Sequence, residues 1–278
     1  MKIRIIFLIT FFCLKSLAQT TTGKLFIIGG GKRSNKLVTQ MLTTANLSKK
    51  DYIAVLPMAS EEPDSAYIYF KKQVEKLTNL PIIMLHFTKN NNTNIKLLDS
   101  LSRSKLIYIS GGDQNRFMGV VANSDIFKSI HKAHKNGSTI AGTSAGAAVI
   151  SEKMITGNQK LNSKYEETFD NIRHTNLETA QGLGLIKTAI IDQHFLIRSR
   201  YNRLISALVD FPNLTGIGID ESTAIIVSDN KAQVVGDSQV LVFRKPKKIQ
   251  KQKNNKVSVE NFNLSIFVEG QSFLINTK

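Results

Sequence analysis

From Lys24 the chain reads KLFII and then Gly29-Gly30-Gly31, an unbroken apolar run stopped by glycines. That pattern predicts a buried strand and a turn. LVTQMLTTA follows with helical spacing, and YIAVLPMAS is a second buried strand closed by Pro57. DSAYIYFKKQVEKL spaces its apolar residues three and four apart, as a helix does. LPIIMLHF is a third strand, NIKLLDSLSRS a helix, and KLIYISGGDQ a fourth strand ended by Gly111-Gly112. DIFKSIHKAHKNG predicts a helix with Gly137 at its end, and TIAGTSAGAAVI begins as a fifth strand.

Strand and helix thus alternate through the first 150 residues. Each strand is apolar at consecutive positions, the pattern of a sheet covered on both faces. The expectation is an α/β fold: a mostly parallel, doubly wound sheet with helices on both faces. Beyond Glu221 the pattern changes to the short strands TAIIVSD, KAQVVGD, SQVLVFRK, VSVENFNLSIFVEG and QSFLINT. These predict a C-terminal antiparallel extension of the same sheet. No linker separates the two parts, so 19–278 reads as a single domain.

Residues 1–18 follow another rule. Lys2 and Arg4 precede an apolar stretch from Ile5 to Leu14, and Ser16-Leu17-Ala18 closes the segment. This is the layout of a signal peptide cleaved after Ala18, leaving Gln19 first. The apolar stretch falls short of the roughly 20 residues a membrane span needs. A secreted or periplasmic protein without a membrane span after cleavage is expected. The single cysteine, Cys13, lies inside the segment, which leaves the mature chain no disulfide framework and no thiolate chemistry.

Net charge is +16, and loss of Lys2, Arg4 and Lys15 lowers it by three. FRKPKKIQKQKNNK, from Phe243 to Lys256, concentrates part of that charge. It has no interleaved aromatics and no nucleic-acid module around it, so nucleic acid is not an expected partner. A solvated hairpin loop is the plain reading, and an electrostatic contact with a polyanionic polymer or cell surface the alternative. GGGKRSN lacks Walker spacing, and no metal-ligand cluster stands out. No cofactor and no metal are expected.

TIAGTSAGAAVI sets Ser144 between Gly142 and Gly146. Small neighbours permit the sharp strand-to-helix turn that exposes a nucleophilic serine, but they also suit plain helix–sheet packing. A nucleophile needs a base, an orienting acid and an oxyanion site. Gly112, at the end of the fourth strand, and Ala145, just after the serine, are candidates for the two backbone donors. Of five histidines, His86, His131, His134 and His174 occupy ordinary positions. His194 ends the apolar run LIKTAIIDQ, with Arg198, Arg200 and Arg203 beyond it. Glu221, at another apolar-to-polar junction, is the chosen acid. Asp192 is a competitor poorly placed to reach the ring from two residues away. The order serine, histidine, acid differs from that of α/β-hydrolases.

SGGDQNR, AGTSAGA, DQHFLIRSRYNRL and GIGIDESTA, with the early GGG and PMAS, resemble in residues and order the cyanophycinase family of serine peptidases, relatives of aspartyl dipeptidase E. The resemblance runs from about Lys24 to FVEGQSFLI. It implies a flavodoxin-like, class I glutamine-amidotransferase-like sheet and a homodimer. It also implies a triad of Ser144, His194 and Glu221, and a substrate pocket lined by Gln114, Asp192, Gln193, Arg198, Arg200 and Arg203. The implied substrate is cyanophycin, a poly-aspartate with arginine on each side-chain carboxylate, cut to β-aspartyl-arginine dipeptides. Glu166, Glu167 or Asp170, in the polar segment after the serine, are candidates to hold the substrate guanidinium. An aspartyl dipeptidase for small peptides and a non-catalytic peptide- or polymer-binding relative remain as alternatives.

Overall fold

The computed structural model describes residues 22–162, 164 and 167–277. The expected signal segment and its cleavage point lie outside them, as does Glu166. The first half alternates as its pattern predicts: β1 (Leu25–Ile28), α1 (Asn35–Ala45), β2 (Ile53–Leu56), α2 (Pro63–Val74), β3 (Ile82–Met84), α3 (Ile95–Arg103) and β4 (Leu106–Ile109). Then come α4 (Gln114–Val121), α5 (Asp125–Lys135) and β5 (Thr139–Thr143). The five strands are parallel, in the spatial order β3-β2-β4-β5-β1.

Both faces of β1, β2, β4 and β5 are buried, and successive residues serve opposite cores. Phe26 and Ile28 pack with Leu37 and Met41 of α1 and Phe70 and Val74 of α2. Leu25 and Ile27 face the other way, toward Leu101, Phe117, Ile126 and Ile130 of α3, α4 and α5. That period of two explains why the strands carry no polar alternation. Side-chain oxygens cap the helices at their starts: Ser34, Asn94 and Ser124 each accept an amide of the first turn. Helix α4, whose N-cap is Asp113, leaves no periodic trace in the sequence.

After β5 come the short α6 (Ala145–Ala148), a hairpin of β6 (Lys153–Gln159) and β7 (Leu177–Gln181), then β8 (Ala189–Gln193), α7 (Tyr201–Asp210) and β9 (Thr215–Ile219). The rest is β10 (Thr223–Ser228), β11 (Lys231–Gly236), β12 (Val240–Arg244), β13 (Lys247–Lys251), β14 (Val257–Glu260), β15 (Asn263–Phe267) and β16 (Ser272–Leu274).

The expected antiparallel extension is correct for only part of this tail. β10, β11 and β16 do continue the main sheet beyond β1, all antiparallel. β12 and β15 instead join β8 and β9 in a second sheet of order β15-β12-β9-β8. The reason lies in burial on two sides. Val240 and Val242 of β12 enter the core shared with the main sheet, while Leu241 and Phe243 enter a third core under α7. The second sheet is therefore an inner layer. On β9, Gly216 faces α7, where a Cβ would strike Leu208, and a Cβ on Gly218 would strike the Phe195 ring. The basic segment forms an exposed two-stranded ribbon, β13–β14. Among the described residues no helix is long and apolar enough to cross a membrane.

Candidate active site

The site gathers where β1, β4, β5, β8 and β9 end, beyond their carboxyl edges, the usual place in open α/β sheets. Its frame is the tail of β1. Three successive carbonyls there each accept one amide: Ile28 from Ser144 at 3.1 Å, Gly29 from His194 at 2.7 Å and Gly30 from Ser222 at 3.0 Å. Three distant parts of the chain are thereby registered on one tripeptide.

Ser144 sits between β5 and α6 with φ 53° and ψ −112°. A non-glycine residue there costs about 1–3 kcal/mol, held in place by its surroundings. The flanking glycines are obligatory: a Cβ on Gly142 would lie 2.1 Å from the Gly146 carbonyl oxygen, and one on Gly146 2.3 Å from that of Ile109. The small residues thus serve the turn itself. His194, also at positive φ (51°), places Nε2 2.8 Å from Ser144 Oγ. Its Nδ1 lies 2.5 Å from Glu221 Oε1. The hydroxyl, ring and carboxylate form one hydrogen-bonded series.

Two supports of this series lie outside the predicted site residues. A Cβ at Gly30 would come within 2.3 Å of the His194 ring, and one at Gly31 within 2.6 Å of Glu221 Oε2. The early glycines therefore form the wall against which ring and carboxylate rest. Asp220, the neighbour of the chosen acid, accepts the amides of Leu196 and Ile197 at 3.0 Å each and the Ser238 hydroxyl at 2.7 Å. It fixes the turn that carries His194. A charged residue just before Glu221 at a strand end is the signal in the sequence that could have found it.

The ring's environment favours its neutral form. Burial lowers the His194 pKa below the usual histidine value, and the charges of Arg198 and Arg200 lower it further. The Glu221 hydrogen bond pulls the other way. The shift favours the unprotonated imidazole, the form able to take a proton.

Beside Ser144 opens a cavity of about 260 Å³. Gly112, Asp113, Gln114 and Asn115 form one wall, Thr156, Gly157 and Asn158 of β6 another, and Gln193, His194 and the three arginines the third. Gly112 takes φ 135° and has no room for a side chain against the Ala59 carbonyl. Ala145 provides the first amide of α6. Among the described residues neither the Gly112 nor the Ala145 N–H donates to a backbone carbonyl outside regular elements. Gln114 braces the wall from within, its amide donating to the carbonyls of Ile155 and Thr156 at 3.1 and 2.6 Å.

Alternation along β8 separates two expected pocket residues. Gln193 faces the cavity, its buried Oε1 without a partner among the described residues. Asp192 turns toward α7 and, fully buried, does not line the cavity. It binds Arg203 through two hydrogen bonds, Nε to Oδ2 at 2.8 Å and NH2 to Oδ1. It lies 3.9 Å from Arg200 as well. Arg200 also donates to the Gln193 carbonyl at 2.7 Å. Asp192 is thus bound by Arg203 and lies near Arg200. Arg198 is the most accessible of the three and pairs with Glu167 at 2.9 Å. Asp170 is exposed and away from the cavity lining.

A hydroxyl, a neutral imidazole and a carboxylate in series at the edge of an α/β sheet define a serine-type hydrolase. The chain belongs to peptidase family S51, whose family model matches residues 25–235. It is 30% identical over 266 residues to a cyanophycinase of Trichormus variabilis, covering 92% of this chain and 86% of that one. Its fold matches a solved peptidase from an acI-B1 Actinobacterium with a TM-score of 0.70 at 20% identity, over 92% of this chain and 98% of that one. A putative peptidase E protein from Listeria monocytogenes aligns with a TM-score of 0.55 at 16% identity, covering 78% and 100% of the two chains. The chain is thus a serine-type peptidase with a flavodoxin-like fold.

Proposed function

We propose that this peptidase degrades cyanophycin, releasing β-aspartyl-arginine dipeptides through an acyl-enzyme on Ser144. The observation that carries the reading is the Ser144–His194–Glu221 series opening onto a pocket with an arginine wall, in a chain similar to cyanophycinases over most of its length. Every residue of the polymer presents a free arginine carboxylate, and guanidiniums bind carboxylates with two parallel hydrogen bonds. Arg198 is the accessible contact. Arg200 and Arg203, held by Asp192, supply fixed positive charge behind it.

With Nδ1–H donating to Glu221, Nε2 of His194 accepts the Ser144 hydroxyl proton as Oγ attacks the scissile carbonyl. The amides of Gly112 and Ala145 receive the developing oxyanion, a contribution of about 3–4 kcal/mol per donor in comparable enzymes. The imidazolium then protonates the leaving amine, and water repeats the sequence on the ester. The strained Ser144 backbone keeps Oγ in place throughout.

Export and pairing belong to the same proposal. Cleavage after Ala18 would deliver the enzyme outside the cytoplasm, where an extracellular polymer is met. β15 is an edge strand, uncharged from residue 261 to 268, with Leu264 and Ile266 about half exposed. A bare apolar edge in so basic a chain suits antiparallel pairing with a second copy.

The test is incubation of the purified chain with cyanophycin and, separately, with α-aspartyl dipeptides. Release of soluble β-aspartyl-arginine from the polymer, abolished in Ser144→Ala, is the expected result. Cleavage of α-aspartyl dipeptides alone would replace the reading with an aspartyl dipeptidase. Polymer hydrolysis that survives Ser144→Ala would overturn the mechanism.

A further inference from the structure

Asp113 is the one carboxylate among the described residues that line the cavity, and three arginines stand on another of its walls. We infer that Asp113 receives the guanidinium of the substrate arginine and so sets the preference for a cationic side chain, an inference that rests on the cyanophycin reading above. Its position is fixed from two sides. Its backbone amide donates to the Ala59 carbonyl at 2.8 Å, and its Oδ1 caps α4, accepting the amides of Asn115 at 2.7 Å and Arg116 at 3.4 Å.

The cap uses Oδ1, and Oδ2 has no hydrogen-bond partner among the described residues. The nearby cation does not neutralise it: the Arg116 head donates to the Ala59 carbonyl at 3.0 Å and to Glu61 at 2.8 Å. Among the described residues, the other acids close to the site are engaged. Glu178 accepts from Thr156 Oγ1 at 2.8 Å and Asn158 Nδ2 at 2.7 Å. Glu167 holds Arg198, Asp192 holds Arg203, and Glu221 holds His194. A zwitterionic side chain thus meets arginines for its carboxylate and, among the described residues, one cavity-lining carboxylate for its guanidinium. The positive end of α4 offsets about half of the Asp113 charge, so the expected preference is about tenfold, at the low end for a hydrogen bond to a charged group.

The experiment compares two short cyanophycin segments, one carrying arginine and one carrying citrulline, which keeps the shape and removes the charge. The wild type is expected to show about tenfold higher kcat/KM on the arginine segment. Asp113→Asn, which keeps the cap and hence the Tm, should cleave both segments at similar rates. A wild type without preference, an unchanged preference in Asp113→Asn, or an equal loss on both segments overturns the assignment. A wild type that cleaves neither segment overturns the cyanophycin reading itself.

Discussion

Gly30→Ala is the sharpest test of how the reactive series is held. The new Cβ would lie 2.3 Å from Cε1, 2.5 Å from Nε2 and 2.8 Å from Nδ1 of His194, where ordinary contact begins at 3.4 Å. The ring must therefore retreat by about 1 Å, and φ of 115° at Gly30 strains any side chain placed there. A retreat of that size opens the 2.8 Å contact with Ser144 Oγ beyond hydrogen-bonding range. Misplacing a reacting group by about 1 Å costs on the order of 100-fold. Complete loss of the base costs up to about 10,000-fold. The expected fall in kcat/KM is thus about 100- to 10,000-fold, or roughly 3–5 kcal/mol of transition-state stabilisation. It should fall mainly on kcat, because the arginine wall is untouched. Gly119→Ala is the control: a Cβ there meets nothing within 4 Å, and on helix α4 the change is neutral or stabilising by up to about 1 kcal/mol. Initial-rate kinetics on the cleaved substrate, with thermal melts of both variants, decide the matter. A folded Gly30→Ala enzyme within threefold of wild type would refute the argument.

Because burial, with Arg198 and Arg200, depresses the His194 pKa, the acid limb of kcat/KM should lie below pH 6.5. The active form is the neutral ring, so a lower pKa carries activity to lower pH. Arg198→Gln removes a cation that opposes protonation and should move that limb upward in a pH–rate profile; a limb that stays put would contradict this. Asp192→Asn removes the buried carboxylate that binds Arg203 through two hydrogen bonds and should destabilise by about 3–5 kcal/mol, read from the denaturant midpoint. The dimer proposed through β15 should appear in light scattering and be lost on Leu264→Lys with Ile266→Lys, whereas a monomeric wild type or an unchanged mass would contradict that pairing.

The first half of the fold was legible because buried parallel strands and amphipathic helices leave different periods in the sequence. The second half was legible as strands but not as sheets. Val240 to Phe243 are apolar without a break, which marks coverage on both faces, yet nothing local says which layers do the covering. α4 went unseen because Gly119 and the polar DQN start dilute its short pattern. Ser144, His194 and Glu221 were visible as polar residues where apolar runs end. Gly30 and Gly31 were visible only as a turn, since the ring and carboxylate they touch come far later in the chain. Alternation on β8 was available in the sequence to separate Asp192 from Gln193, because adjacent residues on a strand cannot share a wall.

The tail of β1 contributes no reactive group, yet three of its carbonyls space the serine, the histidine and the turn of the acid. The spacing of the reactive groups is thereby set by backbone that does not face the substrate. The segments between the anchors, including the β6–β7 hairpin and the approach to α7, can lengthen, shorten or change composition while the proton path keeps its dimensions. New specificities can arise in those segments by exchange of loops, whereas an insertion of one residue after Ile28 would shift the anchors of the histidine and of the acid's turn away from that of the serine.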